Sequence, residues 1–169
     1  QKILDAMDKG TTVGQISECT QLMKKHGIKP SFFIQFGYPG ETRDDIELTR
    51  DMINRLLPVE IGISVSYPLP GTGFYGRVKA ELKQKTNWTD SDEMALMFHN
   101  NFPATYYKQL HRYVHSNYHQ HLARNSFIQL MGKPMRGKGK NRKKAWAVLY
   151  YAPITFIEKM KLKRTEQAF

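Results

Sequence analysis

Two short β-rich segments with a helical pattern between them constrain the fold of this chain more than any other feature. The segments are residues 31–36 and 60–67, and the intervening residues carry apolar side chains at helical spacing. A crossover that contains a helix returns the second strand parallel to the first. The order helix–strand–helix–strand–helix over residues 1–85 therefore predicts an α/β fold with a parallel sheet.

The helices around these strands have recognisable ends. Thr12 and Gln15 have the spacing of a capping box, and Gly27 lies where the helix that follows Thr12 is expected to end. Thr42 and Thr72 are expected to cap two later helices. Cys19 falls on the apolar stripe of the helix after Thr12, so we expect it in the core.

The two strands have different faces. Large apolar residues alternate with smaller or more polar ones, and we expect the bulky faces to pack on helices. The other faces would line a lumen with room for a ligand, for which Gln35 and Ser64 are the candidate residues. A solvent-exposed face on an edge strand is the alternative.

Both strands lead into loops rich in glycine and proline, residues 37–42 and 68–72. Ligands of parallel α/β proteins bind at the carboxyl ends of the strands. Loops that only connect a strand to a helix, without binding a ligand, would have the same composition.

The pattern changes after residue 85. Helical signals dominate residues 90–131, which indicates a helical extension over residues 86–132. Residues 133–169 form a basic and aromatic tail with 11 basic and two acidic side chains, so most of the chain's net charge of +11 lies there. We expect a flexible linker followed by an apolar helix that docks on the missing half of the protein, with Pro153 kinking or ending that helix. Contact with an anionic membrane surface, or less favourably with nucleic acid, is the alternative.

His111, His115 and His119 recur on one face of the predicted extension. Histidines at i and i+4 can chelate a metal, but no carboxylate or thiol is placed to complete the set. A partly buried aromatic and histidine face is the alternative.

Two strings in order carry a family resemblance: FFIQFGYPGETRDDIELT and, further along, ISVSYPLPGTGFY. Together with QKILDAMDKGTT and KKHGIKP they resemble the second half of a radical SAM domain. The chain is most similar to the B12-binding-domain radical SAM proteins, the group that includes the anaerobic Mg-protoporphyrin monomethyl ester cyclases. The resemblance covers residues 1–85 and, more loosely, residues 86–131.

The resemblance implies the C-terminal portion of a partial (β/α)6 TIM-like barrel. The family binds S-adenosylmethionine (SAM) and a [4Fe-4S] cluster and cleaves SAM reductively to start radical chemistry, and its B12 subgroup holds cobalamin in an upstream domain. By resemblance, two loops would lie beside SAM, the first through Phe36, Gly37 and Tyr38. The second would do so through Ser66, Tyr67, Pro68 and Leu69.

The chain departs from the family in its cysteine content. It has one cysteine and no Cys-x-x-x-Cys-x-x-Cys or Gly-Gly-Glu motif. We therefore expect the cluster ligands, together with the first strands of the barrel, upstream of Gln1, and we expect this chain alone to be inactive. Its partners would be that missing half and a small-molecule substrate, in the cytoplasm or at a membrane surface. The alternative function is a non-catalytic α/β binding module whose basic tail contacts anionic membrane or nucleic acid.

Overall fold

The computed structural model describes residues 1–82, 98–131 and 139–167. In these ranges the chain is a mixed α/β protein, mostly helical, with a two-stranded parallel sheet. The elements in chain order are α1 (Lys2–Ala6), α2 (Val13–Lys25), β1 (Ser31–Phe36), α3 (Arg43–Leu56), β2 (Glu60–Val65), α4 (Gly73–Val78) with a 3-10 turn (Lys79–Glu81), α5 (Ala104–Met131) and α6 (Gly139–Gln167).

The parallel pairing of the two strands is confirmed. Ser31 pairs with Glu60, and the register continues without a bulge to Phe36 and Val65. β2 ends two residues earlier than predicted. Gly37 has a φ of 76° and turns the chain away after β1, so the residues after Val65 have no partner strand.

The predicted helix caps are also confirmed. The Thr12 hydroxyl accepts a hydrogen bond from the Gln15 amide at 3.1 Å, and the Gln15 side chain accepts one from the Thr12 amide at 2.8 Å. Gly27, with a φ of 75°, ends α2. The hydroxyls of Thr42 and Thr72 accept from the amides of Asp45 and Tyr75. Each cap satisfies amides that the first turn of a helix leaves without partners.

The main core lies on the bulky face of the sheet. This face packs against α3 and α5 and is therefore covered by helices, as predicted. The strands contribute Ile34 and Phe36 from β1 and Ile61 and Val65 from β2, and the helices contribute Ile46, Ile53, Tyr106, Tyr107, Leu110, Tyr113, Val114 and Tyr118. On the opposite face the Phe33 ring lies over Gly62, where a larger side chain would meet it.

α5 and α6 form an antiparallel helical hairpin. The Gln109 amide donates to the Glu158 carboxylate near one end, and the His119 ring stacks on Tyr151 further along. The tail helix therefore docks on α5 of this chain and not, as expected, on a missing half of the protein. It also continues through Pro153, so of the two expectations for this residue, a kink or a helix end, the second is wrong. Pro153 is exposed, so water can satisfy the carbonyl that its missing N–H leaves free.

Two other predictions need correction. Cys19 is exposed, because α2 buries Thr20 and part of its apolar stripe faces an open groove. Residues 98–103 are not helical and α5 begins after Pro103, a residue that suits the start of a helix. The rest of the predicted segment before α5, at residues 83–97, and the predicted linker at 133–138 lie outside the described residues.

No helix in the three described ranges is both long enough and apolar enough to cross a membrane.

Candidate functional site

The carboxyl ends of β1 and β2 lie side by side. The Ser66 amide donates a hydrogen bond of 2.7 Å to the Phe36 carbonyl, which joins the last residue of β1 to the first residue after β2. Phe36 itself is buried in the core on the helix side of the sheet. The two loops that the sequence singled out therefore begin next to each other, and we call this place the strand-end site.

The first loop is held by side chains from two directions. The Gly37 amide donates to Oε2 of Glu41 at 2.6 Å, which closes the loop across its own turn. The Asn100 amide donates to the Gly37 carbonyl, and the Asn101 amide donates to the Glu41 carbonyl at 2.7 Å. The segment that leads into α5 thus holds the carbonyls of Gly37 and Glu41, at the two ends of the loop.

Glu41 has an unusual electrostatic environment for a carboxylate. Only 2% of the residue is exposed. Burial raises its pKa from 4.5 to about 7, although the Gly37 amide opposes the rise by stabilising the charged form. Nearby Asp45 raises the pKa further and Lys2 lowers it. The Glu41 side chain thus reaches back from the start of α3 to the loop that precedes it.

Tyr38 is buried and points away from the strand ends. Its hydroxyl donates to the Ala6 carbonyl at 2.7 Å and accepts a hydrogen bond from Arg77. Its ring lies 4.9 Å from that of Phe74. The side chain ties α1 to α4, so only the backbone of Tyr38 belongs to the strand-end site.

The second loop contains the one side chain at this site with an unmet hydrogen-bonding need. Ser66 is 3% exposed, and its hydroxyl has no hydrogen-bond partner among the described residues. Pro68 is fully buried, Tyr67 is half-buried and Leu69 is exposed. A buried hydroxyl without a partner is destabilising by about 1–3 kcal/mol, which a ligand with a suitable polar atom would recover.

Gln35 and Ser64 lie next to each other on the face opposite the core. They are direct partners in the strand register. Gln35 lines an open groove of about 820 Å³ that runs between β1, the first two helices and α3, and Glu41 lines the same groove. Ser64 is half-buried. The alternation in the sequence correctly placed the two residues together.

Sequence reasoning missed the residues that hold the site in shape. Asn100 and Asn101 bond to residues about sixty positions earlier, and Arg77 bonds to Tyr38 across two loops. Local spacing carries no signal for such contacts. The two asparagines fall inside residues 90–131, which are predicted to be helical, so no sequence pattern indicates these contacts.

The three candidate histidines lie in a row on α5 at its contact with α6. The ring centroids of His111 and His115 are 4.5 Å apart, and those of His115 and His119 are 6.5 Å apart. The described residues contain no group of three or more His, Cys, Asp or Glu side chains that could hold a metal ion. Burial lowers the pKa of His115, and charge on the other two histidines lowers it further.

Replacement of His115 by phenylalanine is expected to make the hairpin less sensitive to acid. Because the folded-state pKa is below the unfolded value of 6.5, the unfolded chain takes up a proton first as the pH falls. The stability that the neutral histidine contributes above pH 6.5 is therefore lost below it. Urea unfolding at about pH 7.5 and about pH 5 should show a smaller loss for the variant than for the unmodified chain. An equal loss of unfolding free energy in both proteins would contradict a lowered pKa for His115.

The residues of this chain offer polar groups for a ligand such as SAM but too few thiolates for the iron–sulfur cluster. The Ser66 hydroxyl and the backbone of the two loops provide polar groups that suit a nucleoside-type ligand. A cluster of the expected kind needs three cysteine thiolates, and Cys19, the only cysteine, lies exposed on α2. These residues alone cannot hold the cluster.

No family model matches this chain, and no curated protein matches its sequence significantly.

Proposed function

We propose that this chain is the C-terminal part of a radical SAM barrel and that its strand-end site forms one side of the SAM-binding site. The partly closed barrel would continue from the free edge of β1. The whole protein would be a radical SAM enzyme, and this chain would be inactive alone.

The observation that supports the proposal best is the unpartnered hydroxyl of Ser66. It lies at the carboxyl end of a parallel strand, where α/β folds bind their ligands, and in the loop that the motif resemblance marks. A hydroxyl can both donate and accept, so it could bond a ribose oxygen or an adenine nitrogen. The parallel pairing and the adjacent loops are also what the barrel requires.

The residues of this chain would bind and orient SAM and would not react with it. Ser66 would provide one side-chain hydrogen bond, and the pinned loop from Gly37 to Glu41 would present a rigid backbone edge. Gln35 and Ser64 would face the lumen, where a substrate is held. In the family, the cluster supplies the electron for SAM cleavage, and its ligands would lie outside residues 1–169. Cobalamin, if the whole protein uses it, would bind in another domain.

Replacement of Ser66 by alanine is expected to weaken SAM binding without destabilising the fold. One lost hydrogen bond corresponds to an affinity decrease of about threefold to tenfold. The free protein should be unchanged or more stable by about 1 kcal/mol, because a buried unpaired hydroxyl is removed. Amide chemical shifts measured by NMR during SAM titration, together with urea unfolding, give both quantities.

The matched control is Thr155→Val. Thr155 also has a buried hydroxyl with no partner among the described residues, but it lies on α6. This variant should bind SAM like the unmodified chain. The proposal would be contradicted by shifts at about 5 mM SAM that avoid Gly37, Ser66 and Leu69, by no shifts at all, or by equal weakening in both variants.

A further inference from the structure

One face of α6 carries a continuous row of exposed apolar side chains. Trp146, Leu149 and Phe156 are 61%, 69% and 66% exposed. The row, which we call the α6 stripe, consists of Trp146, Leu149, Tyr150, Pro153, Phe156, Ile157 and Met160. Steps of three and four residues keep its members on one side of the helix, and its 14-residue span corresponds to about 21 Å.

The α6 stripe lies on the side of the helix that faces away from α5. Thr155 and Leu162 are buried on the opposite side, where Tyr151 stacks on His119. Fold stability therefore does not explain why the outer face is apolar. Single exposed apolar residues are ordinary on protein surfaces, but a contiguous row of this length marks an interaction surface.

The charges around the α6 stripe have one sign. The two acidic residues of the tail are both turned toward the rest of the chain. Glu158 accepts a hydrogen bond from Gln109, and Glu166 pairs with Arg43 at 3.2 Å. By contrast Lys159, beside the last turn of the row, and Lys163 and Arg164, beyond its end, are exposed. The sequence before its other end, residues 133–144, contains seven basic and no acidic residues.

We propose that the α6 stripe docks on an anionic lipid bilayer, with α6 lying in the plane of the membrane surface. An apolar face with tryptophan and tyrosine suits the boundary between acyl chains and headgroups. Cations near both ends of the row are complementary to anionic headgroups. An anionic membrane surface provides both an apolar layer and negative charge. The described part of α6 has no exposed carboxylate that such a surface would repel. The inference is independent of the proposed SAM site.

Vesicle binding tests this proposal directly. The unmodified chain should sediment with vesicles that contain about one third phosphatidylserine, and much less with phosphatidylcholine alone. Higher salt should weaken the binding. In a Trp88→Phe variant, Trp146 is the only tryptophan. Its emission should shift to the blue when these vesicles are added, because the indole leaves water.

Matched variants distinguish vesicle binding through the α6 stripe from non-specific binding through other exposed residues. L149Q/F156Q should lower the partition coefficient about tenfold or more, whereas L22Q/L48Q, which changes equally exposed leucines on α2 and α3, should not. K159Q/K163Q/R164Q should also lower it about tenfold or more, and K25Q/K29Q/K79Q should lower it less.

Three outcomes would overturn the proposal. The first is no binding to anionic vesicles by sedimentation. The second is equal loss in the stripe variants and their controls. The third is a blue shift of Trp146 without lipid that depends on protein concentration, which would assign the surface to a second copy of the chain. Binding of RNA with higher affinity than vesicles, unaffected by L149Q/F156Q, would also contradict it.

Discussion

Replacement of Glu41 by glutamine should make the chain more stable at about pH 7.5 and should remove a pH dependence on the order of 3 kcal/mol. The carboxyl group is buried, and its pKa rises from 4.5 to about 7. Ionisation in the folded protein is therefore unfavourable compared with ionisation in the unfolded chain. Glutamine has the same shape and keeps an oxygen that can accept the Gly37 amide hydrogen bond.

The sign of the pH effect follows from linkage. Below pH 4.5 the carboxyl is protonated in both states and its full contribution to stability is present. As the pH rises through 7, the folded state must lose a proton that the unfolded state has already lost, and that contribution disappears. The stability difference between the two proteins should grow in favour of Glu41→Gln over this interval.

Urea unfolding at several pH values between about 4.5 and 8 measures this difference. The other titratable groups are present in both proteins, so their contributions cancel in the comparison. Glu18→Gln, on the exposed side of α2, controls for the loss of an acidic residue as such. A constant difference across the pH range would contradict a raised pKa for the Glu41 carboxyl.

Replacement of Ile53 by alanine should be the most destabilising simple truncation on α3, with a loss of about 2–5 kcal/mol in the free energy of unfolding. Ile53 is 0% exposed and joins α3 to the core formed with the sheet and α5. The loss combines the transfer of the removed methyl and methylene groups with the cavity that remains.

Leu48→Ala is the matched control on the same helix. Leu48 is 67% exposed, so its truncation should change stability by about 0.5 kcal/mol or less. Urea unfolding of both variants gives the comparison. If Leu48→Ala were the more destabilising of the two, α3 would present the opposite face to the sheet and the packing described here would be wrong.

Local sequence patterns were sufficient for the sheet and for the helix caps. The crossover length predicted parallel strands, and the capping box at Thr12 and the expected cap at Thr42 predicted helix starts, because these features depend on residues close together in the chain. The alternation of large and small residues likewise predicted which strand face meets the helices. Gln35 and Ser64 lie together for the same reason.

The packing of α6 on α5 could not be predicted from local sequence patterns. Apolar residues lie on both sides of α6, with Trp146 exposed and Leu162 buried, so periodicity cannot tell which side packs on α5. Cys19 was misplaced for a related reason. The apolar stripe of α2 is wider than the surface it packs against, and Leu22 on the same stripe is exposed.

The positions of the two loops were predicted, but the contacts of their side chains were not. Glycine and proline after each strand predicted a loop there, and a loop follows each strand in the structure. The reach of Glu41 back to Gly37 depends on the positive φ of Gly37, and the hydrogen bonds from Asn100 and Asn101 depend on the tertiary fold. That Ser66 has no hydrogen-bond partner among the described residues follows only from the tertiary structure.

The coding sequence directly upstream of the codon for Gln1 tests the central proposal most directly. The proposal predicts an open reading frame that continues upstream and encodes Cys-x-x-x-Cys-x-x-Cys, followed by strand and helix patterns for the earlier part of the barrel. Determination of that sequence from the genomic locus or the full-length transcript provides the measurement. An intact reading frame without the three cysteines would contradict the assignment to radical SAM enzymes.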